Sequence, residues 1–279
     1  MARRRKTHVQ QLLRWPNSVG DLRGRKREQA ARGPRSVNAM RRGKKKLGRP
    51  KKPGAKLRHS KRPEFTDKQP LHVTLRVVED VGRLRNRACY AAIREAAVTL
   101  LRHEDCRITQ LSIQGTHIHL LVEAENREAL AKGMQAFKIS AAKHINAAVS
   151  HAGSWWERRR MTTRPKRRKG SVFADRYHVR VITSPLQARR ELAYVLNNWR
   201  KHGEDRRDVA RGWLVDPFST GWLFNGWRER SDEPFVWKVR DTYDPIPVYG
   251  PRTWLLRTGW RRHGLISLHE VPSRPTTSS

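Results

Sequence analysis

Two histidines, His117 and His119, have the residue type and spacing best suited to chemistry in this chain. They lie in an alternating stretch, residues 117–123, that predicts a β-strand. Because side chains alternate between the two faces of a strand, both imidazoles project from one face and the apolar residues between them from the other. Two imidazoles so placed could share one divalent metal ion, although two surface histidines on an edge strand would show the same pattern.

A tyrosine and an asparagine one helical turn apart form a second candidate pair. Residues 184–203 predict an amphipathic helix, and at about 100° per residue Tyr194 lies nearly opposite its apolar stripe, with Asn198 on the same face. A tyrosine hydroxyl can attack phosphorus, and an amide oxygen can join two imidazoles around Mg²⁺ or Mn²⁺. Taken alone, this pair is commonplace on helix surfaces. The stripe consists of Leu192, Val195, Leu196 and Trp199.

The elements that would position these residues follow the order β-α-β-β-α-β-α. This order predicts an α+β fold, a ferredoxin-like sandwich in which an antiparallel sheet carries helices on one face. The predicted strands are residues 71–78, 107–113, 117–123 and 171–182, and the predicted helices are residues 84–101, 127–149 and 184–203.

Four further polar residues are candidates for the site. His178, on the predicted fourth strand, could contact phosphate or serve a structural role. His72 would approach the site only if the first strand were central, which we do not expect. Glu123 shares the face of His119 and could orient a ligand or neutralise arginines. Tyr177 is a competing nucleophile, but it lies on a strand without an amide one helical turn away.

The charge of the chain indicates a polyanionic partner. The formal net charge is +36, and nucleic acid is the commonest partner of such a protein, although a ribosome-associated or purely charge-driven binder fits equally well. Residues 1–63 carry 23 lysines and arginines against two acidic residues, and stretches such as residues 41–46 and 49–53 have almost no apolar residues. We therefore expect residues 1–68 to be a basic, mostly disordered tail.

Cysteine content and hydropathy exclude several classes of protein. Cys89 and Cys106 are the only cysteines and form no CxxC motif, so neither a disulfide framework nor a thiolate zinc site is expected. No apolar run of 18 residues exists and no apolar core follows the N-terminal charges, so we expect no membrane partner and no secretory signal. We expect a cytoplasmic, nucleoid-associated protein.

A basic loop beside two tryptophans suits single-stranded nucleic acid. Tryptophan rings at positions 155 and 156 can stack on bases, at about 1–3 kcal/mol per base. Two tryptophans that cap the core beside a solvated loop would give the same pattern. The cationic residues that we assign to DNA binding here are Arg158, Arg159, Arg160, Lys166, Arg167 and Arg168.

Four segments, in this order and spacing, resemble the HUH single-tyrosine transposases of the IS200-like superfamily, and most closely their REP-associated branch. The resemblance covers about residues 69–225. The segments are His117-Ile118-His119 with the apolar Leu120-Leu121-Val122 after it, Phe173-Ala174-Asp175-Arg176-Tyr177-His178, Tyr194-Val195-Leu196-Asn197-Asn198 and Asp216-Pro217-Phe218-Ser219-Thr220.

This resemblance implies a metal-dependent enzyme that cleaves and rejoins single-stranded DNA near palindromic hairpins. Tyr194 would be the nucleophile that becomes joined to a 5′ phosphate, and His117, His119 and Asn198 would hold Mg²⁺ or Mn²⁺. Arg176 and His178 would contact DNA together with the basic loop. In related transposases the active site can be assembled across a dimer, so a homodimer is one assembly that the resemblance allows.

The chain departs from the family pattern at two places. Gly115-Thr116 stands where Pro-Asn or Pro-Glu usually precedes the first histidine, which affects only the turn. Asn198 is followed by Trp199-Arg200 instead of the common Asn-Pro-Val continuation, which leaves the choice between Asn197 and Asn198 open. The i+4 spacing from Tyr194 favours Asn198.

The predicted organisation is a basic tail (1–68), a catalytic domain (69–220) and a Trp-rich extension (221–279). The tryptophans of the extension could pack on the core or belong to a small binding module. Two rival functions remain. One is a non-catalytic nucleic-acid binder that retains the fold, and the other is an RNA-binding protein whose histidines hold a structural zinc ion, against which the lack of thiolates counts.

Overall fold

One antiparallel sheet of four strands organises the molecule. The computed structural model describes residues 63–150, 168–210, 212–230 and 244–272, so most of the predicted basic tail and basic loop lies outside these ranges. The strand order β2-β3-β1-β4 is that of a ferredoxin-like sheet, which confirms the predicted fold class. The strands are β1 (Leu71–Arg76), β2 (Cys106–Ile113), β3 (His117–Ala124) and β4 (His178–Val181).

The helices begin where their sequences offer caps. Asn86 accepts a hydrogen bond from the backbone N–H of Cys89 and Ser184 from that of Gln187, so the first and third helices begin just after these residues. Proline at the first helical position also favours the start at residue 185. The helices are α1 (Arg87–Leu100), α2 (Arg127–Ser150), α3 (Pro185–Lys201) and the short α4 (Trp254–Arg257).

The predicted strand over residues 171–182 is wrong in its first half. Only His178–Val181 pairs as a strand, with β1. The preceding segment is held by separate contacts, among them the bridge between Val77 and Phe173 and the hydrogen bond from the N–H of Ala174 to the carbonyl of Arg76. Its alternating pattern therefore reflects local contacts with the end of β1 and not a continuous ladder.

The helices cover both faces of the sheet, so the prediction of helices on one face is wrong for α3. Helices α1 and α2 pack on the face that presents Val73, Leu75 and Ile118. Helix α3 lies on the opposite, histidine-bearing face, where Glu191 is 1% exposed and contacts His72. The physical reason is that α3 is buried on two sides, against the sheet and against residues that follow it in the chain.

The outer edge of β2 is covered by segments that come much later in the sequence. The N–H of Ile113 donates to the carbonyl of Phe218, and the N–H of Leu111 donates to the side chain of Thr220. Further along the same edge, the N–H of Tyr249 donates to the carbonyl of Ile108. These bonds satisfy an edge that would otherwise be open to pairing with another chain.

The C-terminal part of the chain binds the outer side of α3. Arg189 donates to the carbonyls of Gly264 and Leu265, and Arg200 donates to the carbonyl of Leu268. Trp222, Trp227 and Trp260 are buried in the same hydrophobic core as the sheet, whereas Trp254 is 47% exposed and Trp237 lies outside the described residues. Within the described ranges, no helix combines the length and the apolar character needed to span a membrane.

Helix α2 approaches β2 closely because it carries glycine at position 133. A Cβ atom on Gly133 would lie 2.4 Å from Sγ and 2.6 Å from Cβ of Cys106. Ile139 of the same helix is apolar but 63% exposed. It lies off the stripe formed by Met134, Phe137 and Ala141.

We expect Gly133→Ala to destabilise the protein. The overpacking against Cys106 should outweigh the gain in helix propensity of about 1 kcal/mol, and lower the free energy of unfolding by about 1–2 kcal/mol. Urea denaturation would measure the change. Gly250→Ala is the matched control, because no atom lies within 4 Å of its Cβ position. A Gly133→Ala variant as stable as wild type would contradict the packing described.

Candidate active site

A cavity of about 660 Å³ on the histidine-bearing face of the sheet brings together four of the predicted site residues, Tyr194, His117, His119 and His178. Strands β1, β3 and β4 form its floor, and α3 supplies the tyrosine. The other residues that line it are His72, Thr74, Arg76, Thr116, Arg180 and His202.

His72 lies in this cavity, against expectation, because β1 is the central strand next to both β3 and β4. Thr74 is the register partner of His119 on one side and of His178 on the other, so these side chains share one face. His72 projects from that face, and its Nε2 lies 2.9 Å from Nδ1 of His119. Alternation along β1 is enough to predict the face from which His72 projects, but the position of β1 in the sheet depends on pairing between distant segments.

Tyr194 projects from α3 toward the histidines. Its ring centroid lies 5.2 Å from that of His119 and 5.7 Å from that of His72. The Nζ of Lys201 lies 4.9 Å from the centroid of the same ring, which places a positive charge beside it. The rival nucleophile, Tyr177, is 8% exposed and does not line the cavity.

Asn198 follows Tyr194 by one helical turn but is completely buried and does not line the cavity. Its side-chain oxygen and nitrogen both lack a hydrogen-bond partner in the structure. A buried amide without partners is costly, so this side chain has bonding capacity that no described residue uses. The neighbouring Asn197 donates to the carbonyl of Ser267 at 2.9 Å and is therefore engaged with the C-terminal segment.

The pKa values of His117 and His119 lie below the usual value, which favours the neutral imidazoles. Burial lowers the pKa of His117 to about 4, with further lowering by His202, Arg76 and His72. Burial also lowers the pKa of His119 well below its usual value, with His72 and His117 as the next causes. Neutral imidazoles have a free lone pair on one nitrogen, which is the form that binds metal.

These residues fit a divalent metal ion in the chemistry of their donors. Nε2 of His119 is buried and has no hydrogen-bond partner among the described residues, so it has a coordination position available. Imidazole nitrogens suit Mn²⁺ better than Mg²⁺, which prefers oxygen ligands. Among the described residues, no group of three or more His, Cys, Asp or Glu side chains is arranged to hold a metal ion. A metal bound here would therefore need ligands of other kinds, such as an amide, water or phosphate.

The residues predicted to bind DNA, apart from His178, do not line the cavity or lie outside the described residues. Arg176 is exposed on the segment before β4, outside the cavity. Arg168 is held by hydrogen bonds from its guanidinium to Asn146 and to the carbonyl of Ser171, at 2.7 and 3.2 Å. The other five, Arg158, Arg159, Arg160, Lys166 and Arg167, lie outside the described residues.

Two arginines that sequence reasoning missed, Arg76 and Arg180, line the cavity. They project from β1 and β4 on the histidine-bearing face, since Arg76 is the register partner of His117 and Arg180 that of His72. Guanidinium groups are well suited to binding phosphate. Their positions could have been found from the alternation of each strand once the strand order was known.

Glu123 is at the opposite end of β3 from the cavity and takes no part in it. Its carboxylate accepts hydrogen bonds from the backbone N–H groups of Arg252 and Thr253 and lies 3.4 Å from Arg107. It lines a larger cavity of about 800 Å³ that contains none of the other predicted site residues. The alternative in which Glu123 neutralises arginine therefore agrees with the structure.

The fold and the site together define a class of protein. It is an α+β domain in which two histidines on an antiparallel sheet face a tyrosine on a helix. Residues 67–198, which include the whole sheet and the tyrosine helix as far as Asn198, match the family model described as Transposase IS200 like. Over these residues, just under half of the chain, the protein is similar to the IS200-like transposases. No curated protein matches the chain.

Among solved structures, the chain is similar to that of a REP-associated tyrosine transposase bound to a REP hairpin. The sequence identity is 13% and the TM-score is 0.42, over 71% of this chain and 100% of the other.

Proposed function

We propose that this protein is a metal-dependent single-strand DNA transposase of the REP-associated branch, which cleaves and rejoins DNA near palindromic hairpins through Tyr194. The proposal joins the family match of residues 67–198 to the chemistry of the cavity. Its hairpin specificity rests on the resemblance of the four sequence segments.

One observation carries the proposal: Tyr194 and the histidine pair line the same cavity, with the tyrosine ring 5.2 Å from that of His119. They come from α3 and β3, which are distant in sequence. Binding to nucleic acid requires neither a tyrosine nor neutral, buried imidazoles at the floor of a cavity, whereas nucleophilic cleavage of a phosphodiester uses both. This observation favours the enzyme over a non-catalytic binder.

In the proposed reaction, the hydroxyl oxygen of Tyr194 attacks the scissile phosphorus. The new bond joins that oxygen to phosphorus, and the bond from phosphorus to the 3′ oxygen breaks. The phenol loses its proton to water, and the departing 3′ oxygen gains one, so the product is a 5′-phosphotyrosine and a free 3′ hydroxyl. Attack by a 3′ hydroxyl on the phosphotyrosine reverses the step on another strand, so no nucleotide triphosphate is needed.

The residues around Tyr194 would position the phosphate and favour the charge that develops on it. Arg76 and Arg180 are placed to contact the phosphate, and His178 on β4 is exposed beside them. His117, His119 and Asn198 would hold the divalent ion, with Asn198 contributing its unpaired amide. Bound Mn²⁺ or Mg²⁺ would supply Lewis-acid polarisation of the phosphodiester.

A denaturing gel tests the proposed function. Wild-type protein is incubated with single-stranded oligonucleotides from palindromes flanking its gene, with Mn²⁺ or Mg²⁺, and with a chelator in a parallel reaction. We expect a covalent DNA–protein adduct and a released fragment with a 3′ hydroxyl, both lost with the chelator. Tight hairpin binding without any adduct would instead support the non-catalytic binder.

A further inference from the structure

A buried carboxylate that does not line the cavity, Glu191 of α3, contacts the histidine cluster from behind. It is 1% exposed, and its Oε1 accepts a hydrogen bond from Nη1 of Arg180 at 2.9 Å. Its Oε2 lies 2.7 Å from Nδ1 of His72. Burial acts to raise the pKa of Glu191, but the contacts with His72 and Arg180 outweigh it, so the pKa lies below its usual value. The group is therefore an anion held against two neighbouring strands.

This carboxylate determines where His72 carries a proton. Two lone pairs would repel each other at 2.7 Å, so this close contact assigns the proton of His72 to Nδ1, although the contact is not an aligned hydrogen bond. The other ring nitrogen, Nε2, lies 2.9 Å from Nδ1 of His119, and one proton lies between these two atoms. When His72 is neutral, its Nε2 can only accept, so the proton belongs to His119.

The position of that proton determines whether His119 can bind a metal ion. With a proton on Nδ1, the neutral ring of His119 has its lone pair on Nε2, the atom that is buried without a hydrogen-bond partner. In the other neutral tautomer of His119 the proton is on Nε2, so that nitrogen has no lone pair for a metal ion. Thr74 lies close to the same nitrogen, with Oγ1 3.3 Å from Nδ1 of His119, and restricts rotation of the ring.

We propose that Glu191 and His72 are positioning residues that hold His119 in the tautomer whose Nε2 can bind a divalent metal ion. This inference rests on the proposed function, because that function assigns a metal to His119. Carboxylates and other acceptors behind a ligating histidine commonly fix its tautomer and orientation. Here the carboxylate of Glu191 acts on His119 through a second imidazole, that of His72. Glu191 itself lies on α3, the helix that carries the tyrosine.

The chain of contacts from Glu191 through His72 to His119, which we call the relay, also links the nucleophile to the metal ligand. Glu191 precedes Tyr194 by three residues on α3, whereas His119 lies on β3. Glu191 contacts His72 on β1, and His72 contacts His119 on β3. These two contacts therefore connect the helix that carries Tyr194 to the strand that carries His119. A change that breaks the contact from Glu191 to His72 affects both the coordination of the metal and the placement of Tyr194.

Nitrogen-15 NMR of the metal-free protein tests the inference directly. Long-range proton–nitrogen spectra of histidine-labelled protein distinguish the two neutral tautomers, and the resonances of His119 are identified by their loss in His119→Ala. We expect the proton of His119 on Nδ1 in the wild type. A proton on Nε2 would overturn the proposal, and this measurement needs neither activity nor a variant of Glu191.

Glu191→Gln tests the role of the carboxylate at nearly constant shape. If the amide oxygen of glutamine faces Arg180, its nitrogen donates to Nδ1 of His72, and the proton positions along the relay reverse. We expect His119 to shift to the Nε2-protonated tautomer and Mn²⁺ to bind about 10- to 100-fold more weakly, measured by electron paramagnetic resonance titration. Unchanged tautomer and Mn²⁺ affinity in this variant would refute the relay.

Glu123→Gln is the matched control, because Glu123 is a buried carboxylate on the same strand as His119 but at its opposite end. It should leave the tautomer and the Mn²⁺ affinity unchanged. If wild-type protein binds no Mn²⁺, the metal part of the proposed function fails, whereas the spectrum of the wild type still decides the tautomer. The two failures are therefore distinguishable.

Discussion

Tyr194→Phe is expected to abolish covalent attachment to DNA while DNA binding persists. The change removes one hydroxyl and keeps the ring that contacts His119 and His72, so the fold and the cavity should be preserved. Removal of a nucleophile typically costs at least about a thousand-fold in rate. The adduct on a denaturing gel should fall below detection, and the affinity for a labelled hairpin, measured by fluorescence anisotropy, should stay within about two-fold.

Tyr177→Phe is the control for this experiment. Tyr177 resembles a nucleophile in sequence but is buried outside the cavity, so we expect its variant to form the adduct at a rate close to that of wild type. An adduct that survives in Tyr194→Phe and disappears in Tyr177→Phe would identify Tyr177, in the segment before β4, as the nucleophile. Loss of hairpin binding in Tyr194→Phe would instead mean that the hydroxyl contributes to recognition.

The local parts of this fold and site could be predicted from sequence because they depend on short-range rules. The alternation of residues 117–123 gave the two histidines a common face, and Ser184 with Pro185 gave the start of α3. The order of elements gave the ferredoxin-like sheet. Each of these features follows from neighbours within one strand or one turn of helix.

The residues that were missed depend on contacts between distant segments. His72 enters the cavity only because β1 pairs with both β3 and β4, and no local pattern reports that pairing. Glu191 lies outside the apolar stripe of α3, so the amphipathic pattern does not predict its burial. That pattern identifies one buried side of a helix, whereas α3 is buried on two sides, by the sheet and by the segment that Arg189 and Arg200 bind.

The segment Asp216-Pro217-Phe218-Ser219-Thr220 illustrates how a motif can have a structural role. Asp216 is fully buried and accepts two hydrogen bonds from Arg85, at 2.7 and 2.9 Å. Arg85 also donates to the carbonyl of Ile113 and lies 4.6 Å from the ring centroid of Phe218. The motif therefore attaches the chain after α3 to the edge of β2 and to the start of α1, away from the cavity.

We expect Asp216→Ala to lower the free energy of unfolding by about 3 kcal/mol, because it removes the main partner of the buried Arg85 and leaves only Glu204, at 3.7 Å. It also removes the acceptor for the N–H of Phe218. This loss is a large fraction of the stability of a typical domain, about 5–15 kcal/mol. Urea denaturation followed by circular dichroism would measure it.

An exposed pair of the same chemistry provides the comparison for Asp216. Arg94 contacts Asp244 at 2.6 Å, but the Asp244 side chain is 69% exposed, so Asp244→Ala should cost no more than about 1 kcal/mol. The contrast separates the cost of an unpaired buried charge from the loss of an ion pair as such. Replacing both buried partners, in Arg85→Met with Asp216→Leu, should recover part of the loss, since neither charge of the pair then remains and Glu204 keeps its contact with Arg83. Equal effects of Asp216→Ala and Asp244→Ala would contradict the burial that this argument uses.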